Sequence, residues 1–414
     1  MSSVPTAKAA IERVARSSYG KLVAFLASRT RDLAAAEDAL AEAFEVALKQ
    51  WPETGAPANP EAWLLTVARR KQIDVMRRAQ TSVQAQPHLQ LLAEGHAATE
   101  ADPMPIPDKR LALMFACAHP AIDATARTPL ILQTVLGFDA ATIASAFLVS
   151  PKAMSQRLVR AKTKIKAAGI PFQIPEPEAL PERLDAVLDA IYACYSDGWS
   201  DAVGSESAQH EHASEAIWLC RLLIDLLPGE PEAMSLLALM LYSDSRRTAR
   251  RDDAKHYVPL SAQNPKNWDT TMITQADALV RDAGRKNGIG RFQLQAAIQA
   301  VHAARLKTGR TDWAAIEQLY DALFAITGSV VVVINRAIAM AEVRGPSAGL
   351  NALDTIASAN QVADYQPYWA ARAKLLVSSG DPAAADEAYS IAIGLATDPA
   401  VRDFLQKQRQ LLQH

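Results

Sequence analysis

Apolar residues recur through most of the chain at the three- and four-residue spacing of amphipathic α-helices. Segments with the strict alternation of a half-buried β-strand are absent from the sequence. The one β-branched run, SVVVVINRAIAMAEV at 329–343, continues into residues that favour helix, and we predict a buried helix there. The pattern therefore predicts an all-α protein.

Breaks in this pattern divide the chain into segments. Residues 1–79 predict a bundle of three or four helices, and 80–108 read as a linker because large apolar residues are few and DPMPIPD ends the segment. Residues 109–170 predict a smaller helical domain. The proline-rich run 171–182 marks a boundary, and 183–414 predict a long series of helices.

The C-terminal series contains a window that fits a helical repeat. Residues 366–399 fit a tetratricopeptide-like helix pair, in which small residues let two antiparallel helices approach. The residues at the helix-packing positions are Trp369, Ala373, Gly380, Ala385, Tyr389 and Ala392. An earlier window, 329–358, matches only loosely. We predict a tetratricopeptide-like C-terminal domain.

Charge is distributed unevenly along the chain. Residues 1–170 hold 21 Lys and Arg against 15 Asp and Glu, whereas 171–414 hold 22 against 30. A basic front half favours a polyanionic partner. No apolar run is long enough to span a membrane, and the three cysteines lack paired spacing. We expect a cytoplasmic protein with no cofactor and no bound metal.

The most basic stretch follows a predicted turn. Residues 151–167 carry six positive charges and no carboxylate, directly after a short apolar-periodic helix. Ser150 and Pro151 form an N-cap and first-turn pair, as in the second helix of a helix-turn-helix. The inner faces are predicted to be Ile143, Ala144 and Phe147 on the first helix, and Met154, Leu158 and Ile165 on the second.

The other faces of this helix predict DNA contacts. Lys152, Ser155, Gln156, Arg157 and Arg160 lie near its N-terminal half, where base edges and phosphates are reached. Lys162, Lys164 and Lys166 follow as a predicted phosphate-binding tail. The turn position that usually holds glycine is Leu148, which disfavours a positive φ.

A second basic cluster lies in the first domain. Five positive charges and one carboxylate occupy 69–78, beside an apolar set that includes Trp63 and Leu64. Upstream, AEDALAEAFEVALKQW at 36–51 is an acidic amphipathic helix that ends in an aromatic residue. Two basic surfaces on one chain can engage two sites on one duplex with a gain in affinity.

These blocks resemble the extracytoplasmic-function (ECF) sigma factors of bacterial RNA polymerase. AEDALAEAFEVALKQW is similar to their region 2.1–2.2, NPEAWLLTVARRKQIDVMRR to regions 2.3–2.4, and DAATIASAFLVSPKAMSQRLVRAKTKIKAAG to region 4.2. Later segments, among them IYACYSDGW and PGEPEAMSLLALMLYSDSRR, resemble the ECF group that has a fused C-terminal repeat domain of the DUF6596 type.

The resemblance implies a role for each block. It assigns polymerase clamp-helix binding to Asp38, Glu42, Phe44 and Trp51. It assigns the −10 element and its phosphates to Arg69, Arg70, Lys71, Asp74, Arg77 and Arg78. It assigns the −35 groove to Ser155, Gln156, Val159 and Arg160, with Lys152 and Arg157 on phosphates.

Three further expectations follow from the resemblance. The linker is expected to run through the polymerase cleft, where Glu94, Glu100 and Asp102 mimic nucleic-acid charge. Arg70 stands where family members commonly have Asn. Because Arg can only donate hydrogen bonds, either the base sequence preferred at the −10 element should differ or Arg70 should bind phosphate. Asp74 is expected to pair with a nearby arginine, because alone it would repel phosphate.

Two other classes of protein remain open. A stand-alone helix-turn-helix regulator would need a dimer interface and leaves the blocks at 34–51 and 60–78 without a role. A helical-repeat scaffold would make the basic half incidental. An enzyme is not expected, since no convergent acid–base or metal-binding set occurs. We therefore expect a sigma factor that binds core polymerase and promoter DNA, with its C-terminal domain contacting the sigma domains in cis.

Overall fold

A computed structural model describes residues 7–81, 108–147, 149–199, 206–286, 288–358 and 360–413. These residues form α-helices, short 3₁₀ turns and loops, and within them the one β-type pairing is an isolated bridge between Arg251 and Tyr257. The all-α prediction is confirmed. The chain divides into two compact units, Met1–Cys194 and Tyr195–His414, and the division falls inside a helix.

The N-terminal unit contains two groups of helices. The first group is α1 (Ala7–Thr30), α2 (Leu33–Thr54) and α3 (Pro60–Thr81). The second is α4 (Arg110–Cys117), α5 (Ala124–Thr134), α6 (Ala140–Ala146) and α7 (Pro151–Ala167). A further helix, α8 (Pro181–Trp199), begins in this unit.

The first group is a three-helix bundle with well-defined ends. The Asp32 carboxylate caps α2 by accepting a hydrogen bond from the backbone N–H of Ala35 at 3.1 Å. Gly55 ends the same helix with φ of 81°, a value that favours glycine. The Trp51 ring is 1% exposed and meets Trp63 edge-to-face, with ring centroids 5.3 Å apart. This aromatic pair anchors α2 to α3.

Side-chain caps also set the starts of the helices in the second group. Asp123 caps α5, Asp139 caps α6 and Ser150 caps α7. The predicted inner-face residues of α6 and α7 are buried, with one exception. Phe147, the residue that ends α6, is 36% exposed. Leu148, the unusual turn residue, lies outside the described residues.

The two groups of helices pack against each other. Helix α4 contacts α1, and α7 contacts α2. At the end of α5, the backbone of Val135 lies so close to Gly20 that a Cβ on Gly20 would be 1.8 Å from the Val135 carbonyl oxygen. The sequence suggested two bodies on a linker, and in this structure they form one compact unit.

The C-terminal unit is a series of helices and short connections. In chain order these are α9 (Glu206–Leu226), α10 (Pro231–Asp244), α11 (Thr270–Gly284), α12 (Arg291–Ala303), α13 (Arg305–Thr308), α14 (Trp313–Thr327), α15 (Val330–Arg344), α16 (Pro346–Asp354), α17 (Asn360–Ala363), α18 (Gln366–Ser379), α19 (Pro382–Leu395) and α20 (Pro399–Gln410). The β-branched run lies in α15, so the predicted helix is confirmed. Among the described helices, none has the length and apolar character needed to cross a lipid bilayer.

The window 366–399 forms a helix pair, as its pattern predicted. Helices α18 and α19 join at Gly380, whose φ of 84° ends α18 in a left-handed cap. Ala373, Ala385 and Ala392 are fully buried between these helices. The small residues thus allow close helix approach. The tetratricopeptide assignment itself stays a prediction.

Candidate nucleic-acid interface

Helix α7 presents a polar and basic face opposite its apolar stripe. The Ser150 hydroxyl accepts a hydrogen bond from the Ala153 N–H at 3.2 Å, and Pro151 follows at the first helical position. The buried stripe is Met154, Leu158, Ala161 and Ile165. The exposed face contains Lys152, Ser155, Gln156, Val159 and Arg160. The stripe orients these side chains away from the protein, where a DNA groove can be reached.

Val159 is the one apolar member of this exposed face. Its side chain is 63% exposed, as single apolar residues on a protein surface often are. An exposed methyl group beside polar side chains suits contact with the C5-methyl of thymine in a major groove. Val159 is thus accessible to such a contact, and its role at base edges stays a prediction.

A shallow basic cleft lies between α7 and the start of α5. It is lined by Asp123, Thr125, Arg157, Arg160 and Lys164, together with apolar residues. Arg157 donates a hydrogen bond to the carbonyl oxygen of Thr125 at 3.2 Å, so its guanidinium is held against α5. Hydrogen bonds from Thr125, and then the charges of Arg157 and Arg160, lower the pKa of the Asp123 carboxyl. The cleft therefore has a positive electrostatic character.

The lysines of the predicted phosphate-binding tail do not act together. Lys164 is exposed beside the basic cleft. Lys162 instead points to α2, where its Nζ lies 2.6 Å from Glu37, and Lys166 lies 2.7 Å from Asp32. The prediction of a three-lysine tail is corrected on this point, because two of the lysines pair with carboxylates of the first helical group.

Helix α3 carries the residues predicted for the −10 element. Arg69, Arg70 and Asp74 are exposed on one stretch of this helix. The Arg69 guanidinium lies 4.8 Å from the centroid of the Phe25 ring, and burial together with the Arg29 charge lowers its pKa. Arg69 is thus held against α1, whereas Arg70 is the more available cation.

Lys71 has a different environment from these arginines. Its Nζ lies 3.0 Å from the Glu42 carboxylate, so a residue predicted to bind DNA is paired with one predicted to bind polymerase. Both side chains are nearly half exposed, so this ion pair contributes little to stability. The side chains of Arg77 and Arg78 lie outside the described residues. The arginine pairing expected for Asp74 stays a prediction.

Helix α2 holds the residues predicted to contact polymerase. Asp38 and Glu42 are exposed, and Phe44 is half-buried. Trp51 is buried, and its position against Trp63 makes it a support for the bundle rather than part of the surface. The predicted acidic linker residues Glu94, Glu100 and Asp102 lie outside the described residues.

The sequence reasoning missed one charged group on α2. Glu37 is mostly buried beside Asp38, and burial raises its pKa, with Asp38 acting in the same direction and Lys162 in the opposite one. The same two carboxylates contribute to the raised pKa of Tyr19, after burial of its ring. The position of Glu37, one residue from the exposed Asp38, gave no sign that it faces another helix.

Comparison with known proteins matches this arrangement to two families. Residues 14–82 match the family described as Sigma-70 region 2, which covers the bundle α1–α3. Residues 183–284 match a family of unknown function, DUF6596, and this range includes most of α8 and all of α9–α11. No solved structure gives a significant match.

A curated relative extends the similarity to nearly the whole chain. An uncharacterized protein of Rhizobium meliloti (strain 1021) is 40% identical over 383 residues, which span 91% of this chain and 90% of the relative. The matched families occur in the order that the sequence resemblance implied, with the sigma region first. The chain belongs to the ECF-like RNA polymerase sigma factors that carry a DUF6596 extension.

Proposed function

We propose that this sigma factor directs core polymerase to promoters as an ECF-type factor, with α3 at the −10 element and α7 at the −35 element. The observation that carries the proposal is that the Sigma-70 region 2 match coincides with the bundle that exposes Arg69 and Arg70. The exposed basic face of α7 supplies the second DNA surface. The protein works in the cytoplasm and catalyses no covalent step, which belongs to the polymerase.

At the −10 element, Arg70 is proposed to hold the DNA backbone. Its guanidinium is exposed and can donate two parallel hydrogen bonds to a phosphate. Because it cannot accept a hydrogen bond, it does not offer the paired donor–acceptor contact that Asn makes with a base edge. Arg69, held over Phe25, adds positive charge beside it. Unpaired −10 bases then depend on other parts of this surface for recognition.

At the −35 element, α7 is proposed to enter the major groove. Lys152 and Arg157 set its register through phosphates, while Ser155, Gln156, Val159 and Arg160 meet base edges. Arg157 suits a positioning role, because its hydrogen bond to Thr125 fixes it at the edge of the helix. Arg160 is exposed and can make the bidentate contact that arginine makes with guanine.

The acidic surface of α2 is proposed to bind the polymerase clamp helices, and Asp38 tests this. Replacing Asp38 with Ala is expected to weaken binding to core polymerase about 3- to 10-fold, the effect of losing one exposed charge contact of about 1 kcal/mol. The matched control is Glu53→Ala, an exposed carboxylate near the end of the same helix. Equal binding by both variants, measured by titration of labelled polymerase, would remove Asp38 from the interface.

Transcription in vitro tests the proposed function as a whole. Purified chain and core polymerase are combined on templates with randomised upstream sequence, and the transcribed templates are sequenced. Enrichment of two separated motifs, dependent on both components, is the expected result. A stand-alone helix-turn-helix regulator would instead bind one palindromic site without polymerase, and a helical-repeat scaffold would select no sequence.

The C-terminal unit is proposed to tune DNA access in cis. What supports this proposal is that a helical unit with alanine-rich cores is fused on one chain to the region that matches Sigma-70 region 2. A chain that ends after Trp199 is expected to change the amount of transcript from a promoter severalfold. The shortened protein should still bind a −35 duplex. If the shortened and the full-length chain gave the same amount of transcript in transcription assays, and responded in the same way to changed assay conditions, this role would be wrong.

A further inference from the structure

One arginine of the C-terminal unit is enclosed by the fold beside a neutral partner. Arg246 lies two residues after the end of α10 and is 8% exposed. Its Nη2 donates a hydrogen bond to the side-chain oxygen of Gln299 at 2.6 Å. Its Nη1 is buried and has no hydrogen-bond partner among the described residues. Buried polar groups in native proteins are nearly always paired, and an exception points to an ion or a water molecule that the group can hold.

The charged groups around Arg246 do not neutralise it. Burial lowers the pKa of its guanidinium to about 10, and Tyr195 acts in the opposite direction. The positive charges of Arg250 and Arg305 act in the same direction as burial. A buried charge is costly unless a group of opposite charge lies beside it. An anion beside Arg246 would remove this cost.

The carboxylates that flank Arg246 in the chain have other partners. Asp244 accepts a hydrogen bond from the Arg247 guanidinium at 2.7 Å, and Asp252 accepts one from the backbone N–H of His256 at 2.8 Å. Residues 171–414 hold 30 Asp and Glu against 22 Lys and Arg, yet the acceptor on Arg246 is an amide. The positive charge therefore stays available to an anion from outside the chain.

Helix α12 supplies polar groups next to this arginine. Gln299 and His302 are three residues apart and share a face of α12. Burial, followed by the charges of Arg246 and Arg305, lowers the pKa of His302 to about 4, so its ring is uncharged near neutral pH. An uncharged imidazole and an amide can both donate hydrogen bonds to an anion. The face of α12 can thus complete the coordination of an anion held by Arg246.

Arg246 belongs to an unusually long connection between α10 and α11. Residues 245–269 contain short 3₁₀ turns and no α-helix, whereas connections between packed helices are commonly about 2–8 residues long. Arg305 fixes this connection, because it donates a hydrogen bond to the carbonyl oxygen of Gln263 at 2.7 Å and lies 5.1 Å from the centroid of the Trp268 ring. Long connections held on a rigid scaffold often carry binding residues.

We propose that Arg246 anchors a binding site for a small oxyanion, the phosphate or carboxylate group of a ligand, where α10, α12 and the connection 245–269 meet. Its guanidinium can donate two parallel hydrogen bonds to such a group, and Gln299 accepts one hydrogen bond from it in this structure. At 8% exposure Arg246 is out of reach of duplex DNA, which favours a small ligand. The site lies within the C-terminal unit, so it does not depend on the proposed function.

Hydrogen exchange of peptides from α10 and α12 in the full-length chain tests the site. Inorganic phosphate is compared with chloride at equal ionic strength, and acetate provides a carboxylate in a separate series. We expect exchange to slow about tenfold once the concentration of the bound anion is about ten times its Kd. Slowing by phosphate, by acetate or by both supports the site and identifies the group that it prefers. Slowing by neither anion overturns the proposal.

Gln299→Glu separates this site from a general salt effect, since phosphate also stabilises proteins by its exclusion from their surface. It replaces the amide 2.6 Å from Arg246 Nη2 with a carboxylate of the same shape, so the charge is neutralised from within. We expect slower exchange than in the wild-type chain in chloride, and loss of the response to the anion. The control is Gln318→Glu, the same change at an exposed position of α14, which should respond as the wild type does.

Arg246→Met removes the charge and keeps a side chain of similar length. In chloride this variant should exchange no faster than the wild-type chain, because an apolar residue can replace a buried charge without loss of stability. Its response to phosphate or acetate should be lost. A response as large as that of the wild type, in either Arg246→Met or Gln299→Glu, would overturn the site. If Arg246→Met does not fold, Gln299→Glu alone decides.

Discussion

Replacing Trp51 with alanine is expected to lower the free energy of unfolding of the bundle α1–α3 by about 3–5 kcal/mol. Trp51 is 1% exposed and forms an edge-to-face pair with Trp63, so the change leaves a large cavity where α2 meets α3. The Trp51 N–H is buried and makes no hydrogen bond, so the loss comes from packing alone. Because the chain has two units, hydrogen exchange of peptides from α2 and α3 is the suitable measurement.

Trp51→Phe is the matched control for this prediction. It keeps an aromatic ring beside Trp63 and removes the unpaired N–H, so we expect a loss below about 1.5 kcal/mol. The two variants also separate two roles of Trp51. If the alanine variant kept its exchange protection but lost polymerase binding, Trp51 would contact polymerase directly, as the family resemblance implies. Loss of protection in α3 together with loss of −10 binding would support the structural role.

The parts of the fold that depend on local sequence were predictable. Ser150 and Pro151 mark the start of α7, and the spacing of Met154, Leu158 and Ile165 defines its buried stripe. The helix at 329–343 was predictable despite four consecutive valines, because the residues after them favour helix. In each case the information lies within one or two helical turns.

Contacts between distant helices were not predictable in the same way. The sequence shows that Lys162 lies off the apolar stripe of α7, but not that Glu37, 125 residues earlier, lies opposite it. From the sequence alone, Gly20 is only a residue of low helix propensity within α1, and its contact with the backbone of Val135 becomes visible in the structure. Phe147 and Trp51 both looked like buried or binding aromatics, and only packing decides that the first is exposed and the second enclosed. Such pairings depend on tertiary geometry that one sequence does not record.

Arg160 is expected to determine base selectivity at the −35 element. Its guanidinium is exposed on the face of α7 that also carries Gln156 and Val159, away from the ion pair between Lys162 and Glu37. Replacing Arg160 with alanine should cost about 1–3 kcal/mol against the base pair that it reads and relax selectivity at that position only. Binding to core polymerase should be unchanged, because α2 is untouched. Competition binding with −35 duplexes substituted one base pair at a time measures both the position and the size of the loss.

Lys164→Ala is the matched control, because Lys164 lines the same basic cleft one turn further along α7. A phosphate contact carries no base information, so this variant should bind all duplexes more weakly by a similar factor. It should also lower the slope of log affinity against log salt by about 1, whereas Arg160→Ala should alter the pattern across sequences. If Arg160→Ala gave the uniform loss expected for Lys164→Ala, Arg160 would be a phosphate contact. The reading of −35 bases would then fall to Ser155, Gln156 and Val159, the remaining members of the exposed face of α7.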